Sequence, residues 1–382
     1  MSVFISASLF NHKSYLNSNS NMTSGIYYGD YLQLDKILGA QELESEKHGK
    51  LAHDEMLFII VHQAYELWFK QILFELDSVL EVFGDPVLED KKIGQVIHRL
   101  ARIKSIQRVL IQQIDIIETM TPLDFMEFRD FLVPASGFQS VQFKQIEISL
   151  GIKREFRINA DKEFFHSRLS SADLKFLDEL ELRPSLLELT DRWLGRMPFL
   201  EFHEFEFWKA YDEAVNKMLD SDTQIIKTNP TLTDREKQFQ LNDLLMTRTR
   251  FESLLDKSKF EERRKAGEFR LSHSGFLAAL FINLYRDEPL LYSPFRYLTL
   301  LLDIDELFTN WRQRHVMMVQ RMLGTKIGTG GSSGHDYLSA TTRQNRVFLD
   351  LFNLSSFLIP REDLPVLPDE LRRSLGFFFH GQ

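Results

Sequence analysis

Apolar residues recur along most of this chain at helical spacing rather than in alternation. Residues 53–77, from His53 to Asp77, contain neither Gly nor Pro and carry apolar or aromatic side chains on nearly every side. The run is too long for an ordinary strand and predicts a helix of about six turns, buried in the middle of an all-helical domain. Asp54 and Glu55 lie in its first turn, where negative charge suits the helix dipole. His62 falls inside the run, with Phe58 one turn earlier on the same face. Ile93, Ile97, Leu100, Ile103, Ile106, Leu110 and Ile114 predict a second helix over 91–118. Thr121-Pro122-Leu123-Asp124 then reads as a helix start: Thr as N-cap, Pro first, Asp three after the cap. The short helix it opens carries Phe125 and Arg129 and is stopped by Pro134. Pro134 to Phe138 reads as a turn, followed by a helix from 139 to 150.

The flanks are less regular. Residues 1–25 run through Asn-Ser repeats and read as a disordered tail. Tyr28 and Tyr31 share one side of a short helix, and 39–52 is charged and loop-like. Helical patterns return over 184–219. Residues 230–265, rich in both charges, read as a solvated helical excursion. Residues 272–284 and 294–302 are apolar and helical. An acidic start at Asp303 opens a separate helix to Gly324, whose stripe of Ile304, Leu307, Phe308, Trp311, Met318 and Met322 is interrupted by His315. A Gly-rich loop follows at 328–334. A last helical region ends near Pro360, and the tail beyond it is expected to be helical and surface-exposed. No sustained alternating run and no internal repeat appears. The expected fold is all-α: one large helical domain over 26–382, with a charged helical subdomain at about 200–265.

Composition narrows the chemistry. The 382 residues include 33 Phe, and 43% are hydrophobic, so a large apolar interior or pocket is expected. A net charge of −9 argues against nucleic acid or an anionic membrane as partner. With no cysteine, disulfides, thiolate nucleophiles, iron–sulfur clusters and thiolate-ligated haem are excluded. No apolar run approaches the ~20 residues of a membrane span. The N-terminus lacks the basic stretch of a secretory signal, and a cytoplasmic protein is expected.

Three polar side chains interrupt apolar helical faces: His62, Arg129 and His315. Each histidine admits two readings, a satisfied core imidazole or a ligand to a flat apolar cofactor such as haem. Arg129 is either half of a structural ion pair or a planar clamp for a ligand carboxylate. The Gly-rich loop lacks the Gly-Lys-Ser/Thr of a phosphate-binding loop, and is a turn, a lid or a cradle for a small polar ligand through Thr329 and Ser332. Paired Glu-x-x-His motifs and His-Glu-x-x-His are absent.

These residues fall in blocks that resemble a known family. Tyr28-Gly-Asp-Tyr31, the run His53 to Gln71 with Phe58 and His62, Thr119 to Arg129, Pro134-Ala-Ser136-Gly137-Phe-Gln-Ser, Trp311-Arg-x-x-His315-Val and Gly328-Thr329-Gly-Gly-Ser-Ser-Gly are similar, in this order, to the tryptophan 2,3-dioxygenases, most of all the animal enzymes. The resemblance implies an all-α homotetramer with one haem b per subunit. Such an enzyme cleaves the C2–C3 bond of the L-tryptophan indole with O2, giving N-formyl-L-kynurenine, the first step of the kynurenine pathway. It implies His315 as the proximal haem ligand and His62 as the distal histidine facing the indole N–H. Phe58 and Phe125 would be pocket walls, Arg129 the carboxylate clamp and Thr329 the contact for the amino-acid end. Ser136 and Gly137 would lie near the haem, while Tyr28 and Tyr31 would reach the pocket from a neighbouring subunit.

The match is imperfect. Gln313-Arg314 stands where many animal members have Tyr-Asn, and His335-Asp336 follows the Gly-rich loop where an aromatic residue comes first. Residues 200–262 match weakly. The alternatives are a non-enzymatic haem or tryptophan sensor, a broader indole dioxygenase and a helical scaffold.

Overall fold

A computed structural model describes residues 25–85, 90–154, 169–197, 201–202, 205–324 and 345–376. The chain divides into two compact units, Met1–Glu42 and Leu43–Gln382. In the first, α1 (Tyr28–Leu32) and α2 (Leu34–Leu38) meet at Gln33, whose left-handed backbone (φ 53°) turns the chain between them. The expected tail lies outside the described residues.

The second unit begins with α3 (Glu44–Lys47), inside the stretch expected to be a loop. Its N-terminal amides find their acceptor in a distant side chain: Glu55, fully buried, accepts from Glu44 N at 2.9 Å and Ser45 N at 3.0 Å. Glu55 also opens α4 (Glu55–Gly84), which outruns the expected helix because Val79 and Phe83 continue its buried face. A long α5 (Asp90–Ile117) follows, then a short α6 (Pro122–Phe128) and a 3₁₀ turn, Arg129–Leu132. A second 3₁₀ turn, Gly137–Gln139, precedes α7 (Val141–Leu150), which Ser140 caps by accepting from Phe143 N.

Next come α8 (Ser171–Glu181) and α9 (Leu186–Leu194). A pair of two-residue antiparallel strands, Glu201–Phe202 and Phe205–Glu206, is the sole departure from helix-only architecture among the described residues. Then α10 (Phe207–Thr228) and α11 (Asp234–Leu255) pack as a hairpin, with Arg248 of α11 donating to Asp220 of α10 at 2.7 Å. The charged stretch is not wholly solvated: Phe251 and Leu254 of α11, and Phe260 of α12 (Lys257–Lys265), are buried in the main core. After these, α13 (His273–Leu284) is buried almost throughout.

The 35-residue α14 (Pro289–Leu323) joins what the pattern separates into two helices. Its acidic residues are tertiary partners rather than a helix start. Asp303 takes an ion pair from Lys104 at 2.6 Å, and buried Asp305 accepts from Val347 N at 2.9 Å. The chain closes with α15 (Leu349–Asn353) and α16 (Asp369–Leu375). The expectation of a surface tail is overturned there: Leu371 and Leu375 have no solvent exposure and belong to the main core.

The registers of three helices place the site. Tyr65 of α4 pairs with Leu110 of α5, and Glu75 with Arg102, so α4 and α5 run antiparallel. Lys104 of α5 pairs with Asp303 of α14, and Asp115 with Arg314, an equal step in the same direction, so α14 runs parallel to α5. These registers carry His62 of α4 and His315 of α14 to the same level on the two helices that flank α5. Nor is α4 enclosed as expected: Ile60, Leu67 and Phe74 form an exposed stripe along it, and Phe74 is 71% exposed.

Candidate active site

The largest buried rings, such as Tyr211, Tyr297, Phe276 and Phe281, belong to the main core. A second, smaller cluster gathers Val61 of α4, Ile114 and Ile117 of α5, Phe125 and Phe128 of α6, and Met322 of α14, with Phe58, Trp311 and Met318 packed against it. His62 and His315 lie within this frame.

Helical geometry sets the orientation of His62. His62 Nδ1 lies 2.7 Å from the carbonyl oxygen of Phe58, one turn earlier, and its ring lies 4.1 Å from the Phe58 ring. A carbonyl only accepts, so Nδ1 carries the proton and Nε2 is left as an acceptor. His62 is exposed rather than buried as expected. Protein still crowds the imidazole: lost hydration pulls its pKa below the ordinary histidine value, against the Phe58 carbonyl and Glu66, which raise it.

Phe58 packs on Phe125 at 5.7 Å and on Phe128 at 5.6 Å, and the latter two meet edge to face at 5.4 Å. The wall stands on a capped helix. Thr121 Oγ1 accepts from Asp124 N at 3.3 Å, and Asp124 Oδ2 accepts from Thr121 N at 2.8 Å. Arg129, half-buried, follows directly, its backbone N–H donating to the Phe125 carbonyl.

On α14, the indole of Trp311 and the imidazole of His315 lie nearly parallel (5°), with centroids 5.2 Å apart. Trp311 also meets Phe143 of α7 at 5.1 Å and Tyr65 of α4 at 6.1 Å. Burial, and then the nearby His62, pull the His315 pKa down to about 4. The influence of His62 on His315 reflects the proximity that the registers set up. Burial pushes the Tyr65 phenol up to about 12, so it stays a neutral donor, to Leu110 O at 2.6 Å.

The structure thus gathers Phe58, His62, Phe125 and His315, with Arg129 beside them in the chain. Ser136 and Gly137 lie in the turn leading into α7; Ser136 N donates to Gln139 Oε1 at 3.0 Å. Tyr28 and Tyr31 lie on α1 in the first compact unit and are both exposed. Thr329 and the whole Gly-rich loop lie outside the described residues. Sequence reasoning did not single out Phe128 or Tyr65. Both are one turn from a residue it did choose, Phe125 and His62, and that spacing was the available signal.

The donor set fits an iron held by a macrocycle. Among the described residues no three His, Cys, Asp or Glu side chains gather as a protein-only metal site. What the cluster offers instead is two neutral imidazoles among aromatic walls. A strong lone axial donor in apolar surroundings is what haem needs.

The sequence profile described as Tryptophan 2,3-dioxygenase matches residues 13–358. The chain belongs to the tryptophan 2,3-dioxygenase family. A protein of Alteromonas mediterranea named tryptophan 2,3-dioxygenase is 56% identical over 92% of this chain and 97% of its own length. One of that name from Bdellovibrio bacteriovorus is 48% identical over 93% and 99%, and one from Xenopus laevis 44% over 94% and 88%. The likeness therefore extends well beyond the animal enzymes. The family is haem-dependent in general. Among the described residues no helix is long and apolar enough to cross a membrane.

Proposed function

We propose that Phe58, His62, Phe125, Arg129 and His315 form the centre at which this chain oxidises L-tryptophan. Family membership makes it a dioxygenase that opens the C2–C3 bond of the indole with O2 to give N-formyl-L-kynurenine. The observation that carries this assignment of residues is the pair of neutral imidazoles brought to one level from α4 and α14.

In this reading His315 would hold the haem iron, because a pKa of about 4 leaves its lone pair available at neutral pH. Haem b, one per subunit, supplies the redox-active iron; both atoms of O2 enter the product, so no external reductant is consumed. His62 acts through Nε2, which accepts a hydrogen bond from the indole N–H. It orients the substrate rather than ionising it, since a neutral indole N–H is far too weak an acid for imidazole. Demanding that N–H is also selective, because an analogue without it leaves a polar partner unpaired.

Phe58 and Phe125 form an aromatic wall of the indole pocket and exclude water. The guanidinium of Arg129 holds the carboxylate, and Thr329 the amino-acid end. Ser136 and Gly137 would lie near the haem. Tyr28 and Tyr31 complete the pocket of a neighbouring subunit, which requires the homotetramer. The compartment is the cytoplasm.

The test is an absorption spectrum of haem-reconstituted, reduced protein before and after L-tryptophan and air. A Soret band that shifts with tryptophan, followed by N-formylkynurenine, is expected. A shift without product would favour the sensor reading, and no Soret band would remove His315 as ligand.

A further inference from the structure

Both histidines are positioned through α5, on which α4 and α14 each pack along their length. On the α4 side the tie at histidine level is the Tyr65 hydroxyl, donating to Leu110 O at 2.6 Å. On the α14 side it is Arg314, the residue next to His315. Its Nη2 donates to Asp115 Oδ1 at 2.7 Å and to Glu118 Oε2 at 3.0 Å. Asp115 lies in the last turn of α5 and Glu118 one residue past it, where the negative end of the helix dipole makes two carboxylates unfavourable without a cation. The Glu118 side chain is only 19% exposed, so its half of the pair is the better sheltered from water and salt.

The position of this pair gives it a larger role than bracing two helices. Three residues after Glu118 stands Thr121, the N-cap of α6, which bears Phe125 and Phe128 and ends at Arg129. One guanidinium therefore joins the helix that carries the axial imidazole to the corner from which the substrate wall springs. We propose that Arg314 is a positioning residue of this enzyme, setting the spacing between the His315 side of the site and the Phe125–Arg129 side and so the fit of L-tryptophan. The inference rests on the preceding reading of His315, Phe125 and Arg129. Among the described residues, a second ion pair between α5 and α14, Lys104–Asp303 at 2.6 Å, lies eleven residues away, ~16 Å along the helices.

That distant pair supplies the control. L-tryptophan affinity is read from the Soret shift of haem-loaded protein, and stability from thermal unfolding of the haem-free protein. Arg314→Gln is expected to raise the Kd about three- to tenfold, the range a partly sheltered double ion pair allows. Arg314→Lys recovers part of the loss. Glu118→Gln added to Arg314→Gln costs little more, because the interaction is already gone. Wild-type affinity weakens with added salt, whereas that of Arg314→Gln responds less. Lys104→Gln lowers the unfolding temperature but leaves the Kd alone. An unchanged Kd in Arg314→Gln, or an equal rise in Lys104→Gln, would overturn the proposal. A wild-type Soret band that ignores L-tryptophan would instead bring down the reading of the site on which it rests.

Discussion

A histidine on an apolar helical face is ambiguous until its neighbours are known. Sequence spacing exposed His62 and His315 as interruptions of apolar stripes but left both open to a core role. What the spacing could not show is three-dimensional: the Phe58 carbonyl that fixes the His62 tautomer, and the burial that, with the nearby His62, keeps His315 uncharged. The exposure of His62 was illegible for the same reason, since periodicity says which face a residue occupies but not what covers that face.

The depressed pKa of His315 has a measurable consequence. An unfolded chain binds its proton near the ordinary value of 6.5, the folded one only near 4, so between these pH values the unfolded state holds more protons and acid destabilises the fold. That contribution to stability is complete above about 6.5 and is lost as pH falls toward 4. His62 and His273 are shifted the same way, while buried Asp305 and Asp350 are shifted upward and oppose the trend. Comparing His315→Gln with wild type isolates one imidazole. The haem-free variant should lose less unfolding temperature than wild type between pH 6.5 and 4; parallel curves would show that His315 is not held neutral.

At the scale of elements, local signals were legible and tertiary ones were not. The Thr121-Pro122-x-Asp124 signature specifies both reciprocal hydrogen bonds that the structure forms, because a capping box is satisfied within four residues. The acidic residues at 303–305 misled for the converse reason. They resembled a helix start, but their partners are Lys104 and the backbone at Val347, far away in the chain, so α14 runs through them. The capping box also bears on function, since α6 presents Phe125 and Phe128 and delivers Arg129. Thr121→Ala should cost ~1 kcal/mol in urea unfolding. Loosening that wall should also raise KM for L-tryptophan more than it lowers kcat. A loss confined to kcat would mean that the cap does not serve substrate positioning.

Across the whole molecule, stability and chemistry draw on different groups of side chains. The main core takes in residues as late as Leu375, which is why a tail read as surface helix is in fact integral: two fully buried leucines outweigh the charges around them. The proposed site occupies the smaller cluster, built from α4, α5, α6 and α14. Substitutions of similar severity should therefore separate. Leu371→Ala removes a fully buried side chain from the main core and should cost ~2–5 kcal/mol in urea unfolding. Its folded, haem-loaded form should still give the wild-type Soret shift at the wild-type tryptophan concentration. Phe128→Ala removes an equally buried ring from the small cluster, at a cost of ~3–5 kcal/mol. Phe58 and Phe125 both lean on that ring, so this variant should bind tryptophan weakly even where it is fully folded. If both variants kept affinity, the aromatic wall would be support for the fold alone. If both lost it, the two clusters would act as one cooperative unit, and the site could not be tuned without disturbing the core.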